Sequence, residues 1–151
     1  MISRRKPVSP EAEQKLAADQ AFAARFDDLL AEARVAEKEL RDAEAANAPL
    51  MDRYRLAKRL DAALTDATRA AFSAERVAIG PLGYEDRIYR RKAKATGPVR
   101  IWSAEAERLL TLRESHRLTG IPRVPRSPSR REAEELAPSF QPTESGPVTT
   151  G

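Results

Sequence analysis

Arg87, Arg90, Arg91, Lys92 and Lys94 fall within eight consecutive residues, and Tyr84, Tyr89 and Trp102 lie among or beside them. A guanidinium grips phosphate through parallel N–H donors, and an ammonium adds compact positive charge. Aromatic rings stack on exposed bases. With Arg100, these cations form the candidate DNA- or RNA-binding set, one that reads phosphates and carries little sequence preference. On a helix, Arg87, Arg91 and Lys94 share one face. Arg4, Arg5 and Lys6 upstream, and Arg123, Arg126, Arg130 and Arg131 downstream, add further contacts. The alternative reading is a solvated basic helix packed on the rest of the chain through Tyr84, Ile88 and Trp102, or one that meets an acidic protein.

Other chemistries find little purchase. His116 is the only histidine, and its neighbours Glu114 and Ser115 point to different sides of a helix. It is therefore expected to be a surface residue, without the further ligands a metal needs. Asp27-Asp28 and the Glu37/Glu39 pair are too close in sequence to face each other on a helix, so they are expected to be solvated. The glycines are isolated and build no phosphate-cradling loop. With no cysteine, disulfides and thiolate metal sites are excluded. No enzyme, cofactor, metal or small-molecule substrate is expected. Residues 125–130 contain a PxxPxR pattern of the kind that docks on SH3-type grooves, but such patterns arise by chance in any Pro/Arg-rich tail, and an extended linker is the expected reading.

These cations need a scaffold, and two alanine-rich heptad runs supply one. The first stripe is Phe22, Phe26, Leu29, Ala33, Ala36, Leu40 and Ala43, and the second is Leu50, Arg53, Ala57, Leu60, Leu64, Ala67, Ala71, Ala74 and Ala78. Steps of three and four alternate along both, the spacing of a coiled-coil seam. Asn47-Ala48-Pro49 separates them: asparagine tolerates the left-handed conformation, and proline disfavours helix at the residue before it. Folding back there pairs residues whose numbers sum to about 97, which sets Leu40 against Ala57, Ala36 against Leu60 and Ala33 against Leu64. Large meets small, so the helices can approach closely.

The expected fold is therefore all-α, a long antiparallel helical hairpin of coiled-coil type followed by one or two shorter helices and a disordered Pro/Ser-rich tail. Residues 1–9 form a basic arm. Residues 10–79 form the hairpin, with helices at about 10–46 and 49–79. The first is capped by Ser9, with Pro10 leading and no breaker before Asn47. Residues 80–119 form the basic helical segment. In it, residues 84–98 read as a helix ended by Gly97-Pro98, and Ser103 caps another that starts at Ala104. Residues 120–151, with six prolines, are expected to be extended or disordered, apart from a short helix after the capping box at Ser129 and Glu132.

Trp102 ahead of Ser103, Glu105, Glu107, Leu109 and Leu110 resembles the opening helix of Myb- or SANT-like helix-turn-helix domains. The likeness covers twelve residues. Pro122, Pro125 and Pro128 then stand where the second and third helices belong, so the family's function is not carried over. Leu16, Leu30, Val35, Met51, Leu56, Phe72 and Val77 lie off the seam, and a second copy or the C-terminal segment is expected to cover them. Arg53, the one irregularity in the stripe, is expected to reach Glu44 or water.

Charge separates the parts. Residues 10–79 carry 11 basic and 14 acidic side chains, residues 80–131 carry 13 and 5, and residues 132–151 carry four acids and no base. A basic block beside a near-neutral scaffold suits a polyanion partner. No apolar run reaches the roughly 18 residues of a spanning helix, and no secretory signal is visible, so a soluble, cytoplasmic protein is expected. The leading reading is a non-enzymatic helical adaptor that self-associates and binds nucleic acid. The alternative is a structural or scaffold subunit of a larger assembly, such as a virion or secretion component, with protein partners.

Overall fold

The computed structural model describes residues 7–126, and all regular structure in that span is helical. The elements are α1 (Pro10–Ala23), α2 (Phe26–Ala45), α3 (Leu50–Ile79), a 3-10 turn (Pro81–Tyr84), α4 (Arg87–Ala93) and α5 (Gly97–Thr119). None of the helices is long and apolar enough to cross a membrane. The basic arm at Arg4, Arg5 and Lys6, the PxxPxR pattern beyond Arg126 and the capping box at Ser129 lie outside the described residues.

α1 starts as its sequence dictates: the Ser9 hydroxyl accepts from the Ala12 N–H at 3.1 Å, and Pro10 leads. The single helix expected over residues 10–46 is instead two. The ladder tightens at Ala24 and Arg25, where the Arg25 N–H bonds to Phe22 O at 3.0 Å, before α2 begins. No glycine or proline marks the break. It falls between Phe22 and Phe26, the two aromatic residues of the stripe. Phe26 there meets Trp102 edge-on, ring centroids 5.1 Å apart. The 46–49 turn follows expectation: Asn47 takes φ +50°, and Pro49 sits just ahead of α3 as its N-cap.

α3 is the central rod, with α1, α2 and α5 packed around it. Glu39 late in α2 holds Arg59 early in α3 at 2.8 Å, while Asp19 of α1 holds Arg76 late in α3 at 2.8 Å. The chain therefore runs back along itself. Phe26, Leu29, Ala33, Ala36 and Leu40 of the first stripe are buried, as are Leu60, Leu64, Ala67, Ala71 and Ala74 of the second. The stripe fails at its ends. Leu50 is 73 % exposed and Ala78 lies at the surface, because α2 stops at Ala45 and Ile79, not Ala78, turns inward. Arg53 forms no pair with Glu44; its Nε has no hydrogen-bond partner.

The C-terminal segment covers much of what two helices leave bare. Val99, Ala106 and Leu109 of α5 are buried, and Leu30, Leu56 and Phe72 join the cluster that contains Ala106 and Leu109. Val35 and Met51 remain 51 % and 67 % exposed. α5 is longer than expected. Gly97-Pro98 starts it instead of ending its predecessor, because proline needs no N–H donor in a first turn. Ser103 consequently lies inside α5, where its hydroxyl donates to Glu75 Oε2 at 2.7 Å, and Trp102 is partly buried against the core. The short likeness to Myb-type domains loses its capped start. Nor is His116 a plain surface residue: it is half-buried, Nε2 3.0 Å from Ala57 O and Nδ1 2.9 Å from Gly120 O.

Residues 121–126 carry no regular structure and lie along α2. Arg41 Nη2 donates to Ile121 O at 3.1 Å, Val124 is buried, and the Val124 N–H donates to Glu37 Oε1.

Candidate nucleic-acid interface

A turn that only glycine can build seats the basic segment. Gly80 ends α3 at φ +96°, and at Gly83 a Cβ would fall 2.3 Å from Ile79 Cγ2. Residue 83 therefore lies flush against the end of α3, which starts α4 close to the bundle. Asp86 then caps α4, its carboxylate accepting from the N–H groups of Ile88 at 2.9 Å and Tyr89 at 3.0 Å. α4 is only seven residues long, where a helix from residue 84 to 98 was expected. Seven residues are too few to hold a helix unaided, so the cap and the contacts of the turn matter. Cations in its last turn suit the helix dipole.

The turn is anchored by groups not singled out from the sequence. The Arg76 guanidinium grips Asp19 through two bonds at 2.8 and 2.9 Å, and the Tyr84 hydroxyl donates to the same carboxylate. Partial burial raises the Asp19 pKa, but the bonds from Arg76 and Tyr84 and the charge of Arg76 outweigh it, so the carboxyl stays below its ordinary value of 3.8. Burial and the bond to Asp19 push the Tyr84 phenol up. At the other end of the bundle the Arg117 hydrogen bond, outweighing a smaller burial cost, lowers Asp61. The signal for Asp19–Arg76 was present, since the two positions fall near the pairing sum of the fold-back.

A carboxyl lowered by folding stabilises the folded state above the unfolded pKa, and that contribution is lost as pH falls through the folded value. Asp19→Asn should therefore cost about 1 kcal/mol near neutral pH, a figure discounted for the half-exposed Arg76. Chemical denaturation at stepped pH checks this. The gap between variant and parent should close below about pH 4; a gap that persists in acid would count against the pair.

Of the six candidate cations, five line one open groove of about 1170 Å³ along α4, together with Leu82, Glu85, Asp86 and Ile88. Arg87, Arg91, Lys92 and Lys94 are exposed. Arg90 is half-buried and donates to Gly83 O at 3.3 Å, so it fastens α4 to the turn. Arg91 follows Arg87 by one helical turn, and Lys94 is the C-cap. Arg100 sits exposed in the first turn of α5 and does not line the groove. The aromatic partners are largely withdrawn. Trp102 is spent on Phe26 and Tyr84 on Asp19, leaving Tyr89, 40 % exposed, as the ring available for stacking.

Some cations elsewhere on the bundle have a carboxylate, while others, such as Lys15, Arg34 and Arg55, join no ion pair among the described residues. Lys38 pairs with Asp42, Arg41 with Glu37, Arg59 with Glu39, Arg108 with Glu105 and Arg117 with Asp61. Among the described residues no ion pair involves Arg87, Arg91, Lys92, Lys94 or Arg100. The acids nearest to them are otherwise engaged, Asp86 as cap and Glu85 as acceptor of the Ser9 hydroxyl. The groove lining thus carries five cations against two carboxylates, a net positive charge. The described residues hold no cluster of three or more metal-ligating side chains.

No protein-family model matches the chain, and no curated protein or solved structure is similar enough to match it.

Proposed function

We propose that this chain is a non-enzymatic helical adaptor that self-associates and holds DNA or RNA through backbone phosphates. The observation that carries the reading is local density: Arg87, Arg91, Lys92 and Lys94 are all exposed along one open groove and join no ion pair among the described residues, so cations outnumber the two carboxylates, Glu85 and Asp86, that line it with them. Phosphates contacting such a groove release condensed counterions, a gain that needs no particular base sequence. Self-association is supported by Leu50, Met51 and Tyr54, which stay 73 %, 67 % and 56 % exposed at the turn end of α3.

Light scattering of the full chain, with and without a short duplex or single-stranded oligonucleotide, tests both parts together. The expected mass exceeds the 16.8 kDa of one chain and rises when the oligonucleotide is added. A mass of one chain that the oligonucleotide leaves unchanged overturns the reading. The same exposed residues favour a second reading, a structural subunit with protein partners; self-association without any uptake of oligonucleotide selects it.

In this account α2 and α3 form a coiled-coil-like antiparallel hairpin, with Ala36 facing Leu60. The chain has no cysteine, so a pair introduced as Ala36→Cys and Leu60→Cys is the only one present. Mild oxidation should join it within one polypeptide, since alanine-width packing sets Cα atoms near the roughly 4.4–6.8 Å a disulfide spans. Thiols that stay free in the folded state contradict the pairing.

A further inference from the structure

Three hollows of the surface run into one another. The α4 groove shares Arg90 with a small opening at the turn, lined also by Ile79, Gly80, Gly83 and Tyr84. That opening shares Arg76 with a furrow of about 480 Å³ between α1 and α3, lined also by Phe22, Arg69 and Phe72. Cations exceed acids in each: five against two at α4, Arg76 and Arg90 against none at the turn, and Arg69 and Arg76 against Asp19 in the furrow. Asp19 is already held by Arg76 and Tyr84. Hollows elsewhere have the opposite balance. The one over Ala31 and Ala63 sets Asp28, Glu32 and Asp66 against Arg59, and the one over Ala23 and Val77 holds Asp27 and no cation.

At the far end of this linked surface two guanidiniums lie over one ring. Arg69 Cζ is 5.3 Å and Arg25 Cζ 5.7 Å from the Phe22 centroid. Both arginines are exposed, and neither joins an ion pair among the described residues. A guanidinium held beside a ring offers an unstacked base a plane to stack on, and its N–H groups reach phosphate. The width of the furrow decides what enters it. Packed helices lie about 8–10 Å apart, which admits one strand, whereas the major groove of a duplex alone is about 12 Å wide.

We propose that a single nucleic-acid strand held at α4 continues past Arg90 and Arg76 into the α1–α3 furrow, where Arg25 and Arg69 take its phosphates and stack its bases. This rests on the reading of α4 as a phosphate site and narrows it, because a duplex touches α4 alone. α3 rises about 10 Å from Arg69 to Arg76, and α4 adds about 10 Å more. A track of that length matches the low end of the roughly 4–16 nucleotides that single-strand grooves hold.

The test is the affinity of the full chain for a single strand of about 15 nucleotides and for a duplex of the same length. Arg25→Gln with Arg69→Gln should weaken single-strand binding about twentyfold at roughly 0.1 M salt, two contacts of about 0.7 slope unit each, and leave the duplex unchanged. Duplex binding by the same variant also reports that it is folded. The control is Lys15→Gln with Arg55→Gln. Those cations are likewise exposed and join no ion pair among the described residues, but they line none of the linked hollows. The control should lose far less single-strand affinity. Single-strand affinity unchanged by Arg25→Gln with Arg69→Gln overturns the track, while duplex binding leaves the α4 reading standing. A loss on the duplex as large as on the single strand overturns the track too, as does an equal loss in the control. Failure of the parent chain to bind either oligonucleotide removes the α4 reading and the track with it.

Discussion

Truncating Leu64 to alanine will cost about 2–5 kcal/mol, against about 0.5 kcal/mol or less for Leu118→Ala. Leu64 is fully buried at the middle of α3, whereas Leu118 is 82 % exposed at the end of α5. The loss at Leu64 combines apolar transfer with a cavity that its neighbours cannot refill. The buried cluster it belongs to is rich in alanine, with Ala33, Ala36, Ala67, Ala70, Ala71 and Ala106, whose side chains are single methyl groups without rotamers to adjust. Domains of this size hold only about 5–15 kcal/mol in total, so the variant approaches the unfolding threshold. Urea denaturation reads the effect as a lower midpoint at unchanged slope. A midpoint equal to that of Leu118→Ala would mean that Leu64 is not packed against small partners.

Changing Arg87, Arg91, Lys92 and Lys94 together to glutamine will remove most nucleic-acid affinity and leave the fold intact. All four are exposed, and none joins an ion pair among the described residues. Their removal therefore strips no partner of its counter-charge. Each phosphate contact contributes about one unit to the slope of log affinity against log salt, so the slope should fall by about 3–4. At about 0.1 M salt that corresponds to roughly a thousandfold weaker binding. The matched control is Lys38→Gln with Arg59→Gln, cations already held by Asp42 and Glu39. That variant should lose far less affinity per charge removed. Equal losses from the two variants would show that net charge matters and the groove does not.

The all-helical class and the buried positions of α2 and α3 were legible because their information is periodic. Alternating steps of three and four with large residues opposite alanine leave few other ways to bury Leu60, Leu64 and Leu40. Asn47 was legible because its dihedral demand is local. The break at Ala24 and Arg25 carried no such mark, since nothing at those positions disfavours helix. It falls just before Phe26, whose edge-on contact with Trp102 is made only after folding. The start of α5 was missed for a different reason. Gly97-Pro98 stops one helix or begins the next with equal local logic, and only burial decides. The deciding pattern was present in Val99, Trp102, Ala106 and Leu109, whose three-four-three spacing forms a core stripe.

The candidate site was legible as composition and less so as geometry. Arg87, Arg91, Lys92 and Lys94 came together because they are near neighbours in sequence. Arg90 took a fastening role because a short helix needs one, and its contact with Gly83 O depends on a turn whose close approach to Ile79 no pattern announces. Tyr84 and Trp102 were read as stacking platforms from their proximity to the cations, but an aromatic near a basic cluster is also the group best able to tie that cluster to a core. Asp19 and Arg76 lay far apart in sequence and acquired meaning only when the chain folded back.

The affinity of the full chain for duplex and single-stranded oligonucleotides, measured by fluorescence anisotropy as salt rises from low to high, tests the central claim most directly. Binding to both at low salt is expected, falling linearly on logarithmic axes and differing little between base sequences. No binding to either at the lowest salt would contradict it.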